Sequence, residues 1–196
     1  MLTKEIPEDQ IRKWAEGLAA SDRKAFDALF RALYPPLFQY ALKITRDRDA
    51  AGDVVQDAFV LLWKKRREVD PDRSVRAYLY RSVRNRALNY LRDRKEVADP
   101  IDDLLVDESQ PADSFMEEEQ QEQEQFRQRF YQWINRLPER QREAFELSRF
   151  EGLHHHEIAK VMNVSHKTVN NHLTAALSQL REWYDTYQQE SRISGS

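Results

Sequence analysis

The sequence predicts an all-α protein made of two small helical domains joined by an acidic flexible linker, with a helix-turn-helix in the second domain. Only four of the 196 residues are glycine and 33% are charged, a composition that favours helices over sheets. Apolar residues recur at steps of three and four, and no segment alternates as a strand would. Charges of opposite sign are concentrated in different parts of the chain, which indicates a division into domains.

The charge distribution also gives the expected domain boundaries. The net charge is −3, but residues 21–95 carry a balance of +8, residues 96–125 one of −12 and residues 126–185 one of +2. We interpret the first and third segments as folded domains, and the second as an acidic linker together with the start of the following helix. Residues 1–20 are expected to form an N-terminal extension and residues 186–196 a C-terminal tail.

Three helices are expected in the first domain. Ser21 can cap the first helix and Asp49 the second, while Pro35 and Pro36 are expected to kink or break the first. A turn at residues 69–72 precedes a basic third helix. The apolar faces of the three helices consist of Phe26, Leu29, Phe30 and Leu33, then Val55, Phe59 and Leu62, then Val75, Leu79, Val83, Ala87 and Leu91.

Periodicity, prolines and capping residues also predict the extent of the linker and the helices of the second domain. Residues 96–113 lack periodicity and contain two prolines, so we interpret them as extended linker. A capping box at residues 114–117 opens a helix that ends before Pro138. A short helix around residues 144–150 precedes the histidines, and a last long helix is expected to run to about Tyr184. The first of these helices carries apolar residues at Phe126, Phe130, Trp133 and Leu137.

The chain lacks the features of secreted and membrane proteins. It contains no cysteine, which excludes disulfides and thiolate metal sites. The N-terminus has no apolar core of a signal peptide. The longest apolar run, residues 58–63, is too short to span a bilayer. We therefore expect a soluble, cytoplasmic protein without membrane insertion.

All five histidines lie between His154 and His172, with three in succession at 154–156. A zinc motif of the HExxH type would need a second imidazole four residues after His156, where this chain has Lys160. Successive helical residues point about 100° apart, so the consecutive imidazoles cannot converge on one ion. We expect no cofactor and no native metal site, and adventitious metal binding is the better explanation of any affinity.

The same segment fits a helix-turn-helix at nearly every position. Asn163 tolerates the left-handed conformation of the turn, Val164 is expected to be buried beside it, and Ser165 can cap the second helix. His154 can cap the first helix, with Glu157 in the reciprocal position. Ile158, Ala159 and Met162 face the second helix, whose inward residues are Val169, Leu173, Ala176 and Leu180. The residues expected to contact DNA are Ser165, His166, Lys167, Thr168, Asn170, Asn171 and Thr174.

Two segments of the chain resemble parts of one bacterial family. Residues 137–181, LPERQREAFELSRFEGLHHHEIAKVMNVSHKTVNNHLTAALSQLR, resemble sigma region 4. Residues 26–63, FDALFRALYPPLFQYALKITRDRDAAGDVVQDAFVLLW, resemble sigma region 2. Their order and separation are those of an extracytoplasmic-function (ECF) sigma factor of bacterial RNA polymerase. The departures are the histidines after Gly152 and the use of Asn163 where glycine is commoner.

The resemblance implies a non-catalytic initiation factor. Its expected partners are core RNA polymerase (through the β′ clamp helices and the β flap), promoter DNA and an anti-sigma factor. The residues that correspond to the polymerase-binding helix are Asp53, Val54, Gln56, Asp57, Val60 and Trp63. The last helix would read the −35 element, and the acidic linker would thread through polymerase towards the RNA path.

The resemblance also assigns the basic segment after Trp63 to the −10 element, where basic side chains can hold phosphates and aromatic ones can stack on bases. Tyr78 and Tyr90 are expected to be core residues instead. The residues expected to bind and melt the −10 element are Lys65, Arg66, Arg67, Asp72, Arg73, Ser74, Tyr80, Arg81, Arg84, Asn85, Asn89 and Arg92.

Other interpretations stay open at this point. A stand-alone helix-turn-helix regulator could bind palindromic operators as a dimer, and an enzyme could use the histidines as a metal site, although no nucleophile accompanies them. A generic amphipathic helix pair would show much of the same pattern. The carboxylates of residues 53 and 57 could be ordinary solvated groups, and the acidic linker could be a plain spacer.

Overall fold

The computed structural model describes residues 6–71, 73–97 and 118–194. These residues form eight α-helices and one 3-10 turn and contain no strand, so the all-α prediction is confirmed. Of the linker predicted at residues 96–113, residues 96–97 end the last helix of the first unit and residues 98–113 lie outside the described residues, as do the predicted capping box at 114–117 and Asp72. The helices are α1 (Glu8–Ala19), α2 (Arg23–Thr45), α3 (Arg48–Lys64), α4 (Val75–Val97), α5 (Glu118–Arg136), α6 (Glu139–Arg149), α7 (His155–Met162) and α8 (His166–Ser194), with the 3-10 turn at Arg66–Glu68.

The chain divides into two compact units, one containing α1 to α4 and the other formed around α5, α6 and α8. In the first unit α2 packs against α1, α3 and α4, and α3 packs against α4. Most of the buried apolar side chains of this unit therefore lie between four helices, and each helix buries a wide face.

Helix α1 belongs to the core of the first unit, so the expectation of an N-terminal extension over residues 1–20 is wrong. Ile11, Ala15 and Leu18 are fully buried, and their four- and three-residue spacing places them on one side of the helix. At Gly17, an added Cβ would lie 2.7 Å from the Cβ of Ala25. The missing side chain therefore allows α1 and α2 to approach closely.

The caps of α2 and α3 lie one and two residues away from the predicted positions. Asp22 caps α2 by accepting a hydrogen bond from the amide of Lys24 at 2.8 Å, while Ser21 has a left-handed φ of 66°. Asp47 caps α3 by accepting hydrogen bonds from the amides of Asp49 and Ala50, both at 3.1 Å. In both places two polar residues compete for the cap, and backbone geometry decides between them.

Helix α2 continues through Pro35 and Pro36, so the predicted break does not occur. Each proline removes one helical N–H donor. Leu29, Leu33 and Leu37 are buried at four-residue steps on both sides of the prolines. Because this apolar face packs along the core, burial maintains the helix across the interruption.

The second unit is built around an aromatic core in which α5 and α6 both pack against α8. Trp133, Phe145 and Leu180 are buried at its centre. Trp183 and Tyr187 pack against this cluster from the later turns of α8. The helix continues to Ser194, beyond the predicted end near Tyr184.

None of the helices in the described residues is both long enough and apolar enough to cross a bilayer.

Candidate functional site

The turn between α7 and α8 has the backbone of a helix-turn-helix. Asn163 adopts a left-handed φ of 55°, as predicted, and the amide of Val164 donates to the carbonyl of Ala159 at 3.0 Å. Ile158 and Met162 are buried. Val164 is only half-buried, where the sequence predicted full burial. The turn therefore directs the start of α8 away from α7.

Side-chain caps begin both helices of this motif. The Oγ of Ser165 accepts a hydrogen bond from the amide of Thr168 at 3.0 Å and lies 2.8 Å from its hydroxyl, so the predicted Ser165 cap is confirmed. Glu157 accepts a hydrogen bond from the amide of His154 at 2.7 Å, which is the predicted reciprocal half of a capping box. Both hydroxyls at the start of α8 thus serve the helix itself.

The first turns of α8 separate an apolar side from a polar one. Val169, Leu173, Ala176 and Leu180 are buried as predicted. The exposed members of the predicted DNA-contacting set are Ser165, His166, Lys167, Asn171 and Thr174, while Thr168 and Asn170 are half-buried. The Oδ1 of Asn170 is buried without a hydrogen-bond partner. Asn171 is therefore the amide that faces outwards with both polar groups accessible.

Four of the five histidines lie in two pairs. The rings of His154 and His156 are 5.9 Å apart and nearly parallel, and those of His155 and His166 are 5.8 Å apart. Among the described residues, no group of three or more histidine, aspartate or glutamate side chains is arranged to hold a metal ion.

On α3 most of the predicted polymerase-binding residues share an accessible side. Asp53, Gln56 and Asp57 are exposed, and Val60 is 49% exposed. Asp57 also accepts a hydrogen bond from the guanidinium of Arg86 on α4 at 3.1 Å. These side chains together form an accessible polar surface that includes one apolar residue.

Two members of the predicted α3 set are not freely accessible. Val54 is 8% exposed, so its assignment to the binding surface is wrong. The sequence indicated one apolar face of Val55, Phe59 and Leu62, but α3 packs against both α2 and α4 and buries a wider face. Trp63 is half-buried, and the ring of Phe26 lies 5.1 Å from its indole.

A groove of about 810 Å³ lies between α2 and α3, beside the accessible face of α3. Asp53 and Gln56 line it from α3, and Tyr34 and Phe38 line it from α2. The contribution of α2 was not predicted. Pro35 and Pro36, which also line the groove, were the available signal, because prolines interrupt helical hydrogen bonding.

The predicted −10 residues are distributed along the loop between α3 and α4 and along α4 itself. Ser74 begins α4, since its Oγ accepts a hydrogen bond from the amide of Ala77 at 3.1 Å. Ser74 and Arg66 are half-buried. The exposed members of the set are Lys65, Arg67, Arg73, Arg81, Asn85, Asn89 and Arg92. These side chains give the loop and the exposed side of α4 a basic and amide-rich surface.

Tyr78 and Tyr80 of α4 have the opposite arrangement from the predicted one, and Tyr90, also expected in the core, is half-buried. Tyr80 is 0% exposed, with its ring 5.1 Å from that of Tyr40, so it cannot stack on a base from this conformation. Tyr78, expected in the core, is 38% exposed. Arg84 is only 5% exposed, which removes it from the DNA-contacting set. The apolar series from Val75 predicted one buried stripe, whereas contact with three helices buries a second stripe that contains Tyr80 and Arg84.

A polar cluster joins the start of α3 to the later turns of α4. The hydroxyl of Tyr90 donates to Oδ2 of Asp47 at 2.7 Å, and the guanidinium of Arg94 lies 3.6 Å from the same oxygen. The hydrogen bond from Tyr90, assisted by the backbone amides that Asp47 caps, lowers the pKa of the Asp47 carboxyl. The same bond raises the pKa of the Tyr90 hydroxyl. One carboxylate therefore serves both the cap of α3 and the contact with α4.

Comparisons with known families match both units. The family model for Sigma-70 region 2 matches residues 29–97, which cover most of α2, α3 and α4. The family model for Sigma-70 region 4 matches residues 127–180, which include the helix-turn-helix. Together the two matches contain almost all of the accessible residues described above.

Proteins of similar sequence and structure are known from several bacteria. The chain is 28% identical to the RNA polymerase sigma-H factor of Pseudomonas aeruginosa over 87% of its own length and 92% of that protein. It is 23% identical to the ECF RNA polymerase sigma factor SigM of Bacillus subtilis, covering 81% and 94% of the two chains. Among solved structures, it resembles CnrH in complex with the cytosolic domain of CnrY, with a TM-score of 0.58, 25% identity and coverage of 91% of this chain and 99% of that one.

Proposed function

The chain belongs to the ECF sigma factors of bacterial RNA polymerase, and on that premise we propose that it directs promoter-specific initiation by reading −10 and −35 elements and promoting DNA melting. Sigma factors are initiation factors and not catalysts, so the residues are assigned to binding roles. The observation that carries the proposal is the presence of three accessible surfaces, on α3, on α4 with its preceding loop, and on α8, within the two matched regions.

The accessible face of α3 is proposed to dock on the β′ clamp helices of core polymerase. Asp53, Gln56 and Asp57 supply carboxylate and amide groups, and Val60 supplies an apolar contact one helical turn further along α3. Charges at the edge of an interface steer association and fix its register. An apolar residue surrounded by polar ones is a common arrangement at the centre of an interface.

The loop before α4 and the exposed face of α4 are proposed to hold the −10 element. Arg67, Arg73 and Arg81 are exposed cations that can bind phosphates. Asn85 and Asn89 are exposed amides one helical turn apart, and each can donate to and accept from a base. With Tyr80 buried, Tyr78 is the exposed aromatic residue of α4 available for stacking.

The first turns of α8 are proposed to read the −35 element in the major groove. Lys167 lies close to the start of the helix and can reach a phosphate or a guanine edge, while Asn171 can make a bidentate contact with adenine. The second unit has a balance of only +2 over residues 126–185, so its affinity for DNA alone should be weak. Attachment to polymerase would supply the effective concentration that it lacks.

An anti-sigma factor is a further proposed partner. The related CnrH was solved in complex with the cytosolic domain of CnrY. By analogy, a partner that covers the accessible face of α3 would compete with polymerase. Binding to polymerase would place the chain in the cytoplasm.

Run-off transcription with purified core polymerase tests the proposed function directly. The full chain should direct transcription from a subset of promoters recovered from a randomised library, with preferences at two separated elements. A stand-alone dimeric regulator would instead protect a palindromic site without polymerase. Failure to associate with core polymerase would contradict the proposal.

A further inference from the structure

Arg66 makes three contacts within its own unit. Its Nε donates to the Oγ of Ser21 at 3.1 Å, and its Nη1 donates to the main-chain carbonyl of Trp63 at 2.9 Å. The guanidinium carbon also lies 4.5 Å from the centre of the Trp63 ring. The adjacent Arg67 is exposed, so two neighbouring arginines in one 3-10 turn have different surroundings.

Each contact of Arg66 fixes a different part of the region where the end of α3 meets the α1–α2 turn. The carbonyl of Trp63 is among the last four of α3, which have no amide partner inside the helix, and the guanidinium satisfies it. Ser21 lies at the turn between α1 and α2, where its φ of 66° ends α1. The Trp63 ring is held between Arg66 and the ring of Phe26. Arg66 therefore ties the end of α3 to the α1–α2 turn at the point where the loop to α4 begins.

The same contacts make Arg66 a poor phosphate ligand. A guanidinium presents its donors in a rigid fork, and here Nε and Nη1 each donate within the unit while one face lies over the Trp63 ring. Turning the group towards DNA would break both hydrogen bonds. Arg67 can bind a phosphate without any such loss.

We propose that Arg66 is a positioning residue that holds the start of the α3–α4 loop in the conformation in which Arg67 and Arg73 meet −10 DNA, and that it does not touch DNA itself. This inference rests on the proposed function, because it assumes that the loop binds the −10 element. It replaces the sequence-based assignment of Arg66 as a DNA contact.

The test compares Arg66→Ala, Arg66→Lys and Ser21→Ala with the matched control Arg67→Ala, each in the full chain bound to core polymerase. Affinity for a promoter fragment is measured as a function of salt concentration, and the rate of promoter opening is measured at saturating holoenzyme. Arg67→Ala should reduce the slope of log affinity against log salt by about one. Arg66→Ala should leave that slope unchanged and slow opening about fivefold to tenfold, which corresponds to the loss of one or two hydrogen bonds.

Two further results separate positioning from charge. Arg66→Lys should fail to restore opening, because an ammonium keeps the charge but cannot reproduce the fork and the stacked face. Ser21→Ala should slow opening less than Arg66→Ala and should add little to it in the double variant, because both substitutions remove the same contact. Circular dichroism and core-polymerase affinity should match the wild type for Ser21→Ala, so this variant tests the proposal even if Arg66→Ala folds poorly.

A reduced salt slope in Arg66→Ala, together with rescue by lysine, would make Arg66 a phosphate contact and overturn the proposal. Normal opening in both Arg66→Ala and Ser21→Ala would overturn it as well. Failure of the proposed function has a different signature, since the wild-type chain itself would then give no promoter-specific opening with core polymerase.

Discussion

Asn170 and Asn171 carry the same amide but lie in different surroundings on α8. The Oδ1 of Asn170 is buried and lacks a partner, whereas Asn171 is exposed. A bidentate contact with adenine needs a donor and an acceptor from one amide, and in this conformation Asn171 can present both groups outwards. The sequence alone gave both residues the same role, because their difference depends on the rotation of α8 about its axis.

Asn171→Ala should therefore relax the preference at one −35 position, at a cost of about 1–3 kcal/mol in discrimination. Lys167→Ala should lower the affinity for all promoter sequences alike. It should also reduce the slope of log affinity against log salt concentration by about one. Promoter selection with randomised −35 and −10 elements measures both effects. Gln189→Ala, an exposed amide roughly 27 Å further along the same helix, is the control and should change neither. An unchanged −35 preference in a Lys167, Asn170 and Asn171 triple alanine variant would remove the assignment.

The bond between Tyr90 and Asp47 predicts a stability that depends on pH. The lowered pKa of Asp47 means that its carboxylate stabilises the fold above about pH 4, and that this contribution is lost as the pH falls through the lowered value. The raised pKa of Tyr90 means that its contribution is present below about pH 10 and is lost as the pH rises through the raised value.

Tyr90→Phe should lower the free energy of unfolding of the first unit by about 1 kcal/mol at pH 7. The difference from the wild type should shrink below about pH 4, as Asp47 becomes protonated. Urea unfolding followed through backbone nuclear magnetic resonance signals of α3 measures it. Tyr78→Phe, which changes an exposed tyrosine of the same helix, is the control. A difference that stays constant from pH 3 to pH 7 would contradict the role of the carboxylate.

At the scale of the element, periodicity predicted which helices exist, but their ends and the width of their buried faces depend on tertiary structure. Most of the predicted apolar series of α2, α3 and α4 is buried, whereas Phe26, Phe30 and Leu91 are half-buried. The caps differ by one or two residues because several aspartates and serines are adjacent. Val54, Tyr80 and Arg84 could not be identified as buried from the sequence, since a second buried stripe arises only where a helix touches several neighbours.

The exposed side of α3 gives the prediction at this scale. Asp53→Lys should weaken association with core polymerase by about tenfold or more, because like charges facing each other across an interface are costly. Helical content should not change, since Asp53 is exposed. Asp57→Lys should act in the same direction but would also break the contact with Arg86, so it is the less specific test. Titration calorimetry with core polymerase, with Asp185→Lys as an exposed control on α8, measures the effect, and wild-type affinity for Asp53→Lys would remove the assignment of α3.

At the scale of the whole molecule, the two units can act together on polymerase only if the segment that joins them is compatible with the polymerase surface along which it runs. Residues 96–125 carry a balance of −12, which is unfavourable next to DNA but suits a basic channel that later holds RNA. The acidic linker is therefore proposed to occupy such a channel and to be displaced as the transcript grows. The family resemblance implies this role, and the acidic composition of the segment suits it.

A Gly/Ser replacement of residues 98–113 with the same length should keep promoter binding but change the yield of short abortive transcripts, because the acidic segment would no longer compete for the channel. A shuffled segment that keeps the composition and charge should behave as the wild type. Transcription assays that resolve abortive and full-length products measure the difference. Normal initiation and escape with the neutral segment would support a role as a simple spacer.

The consecutive prolines of α2 also affect how the groove beside α3 can respond to a ligand. Pro35 and Pro36 have no N–H to donate to the carbonyls of residues 31 and 32, four positions earlier. Because two helical hydrogen bonds are missing at this point, bending α2 here costs less than elsewhere along its length. The wall of the groove formed by Tyr34 and Phe38 therefore lies at the part of α2 that resists bending least.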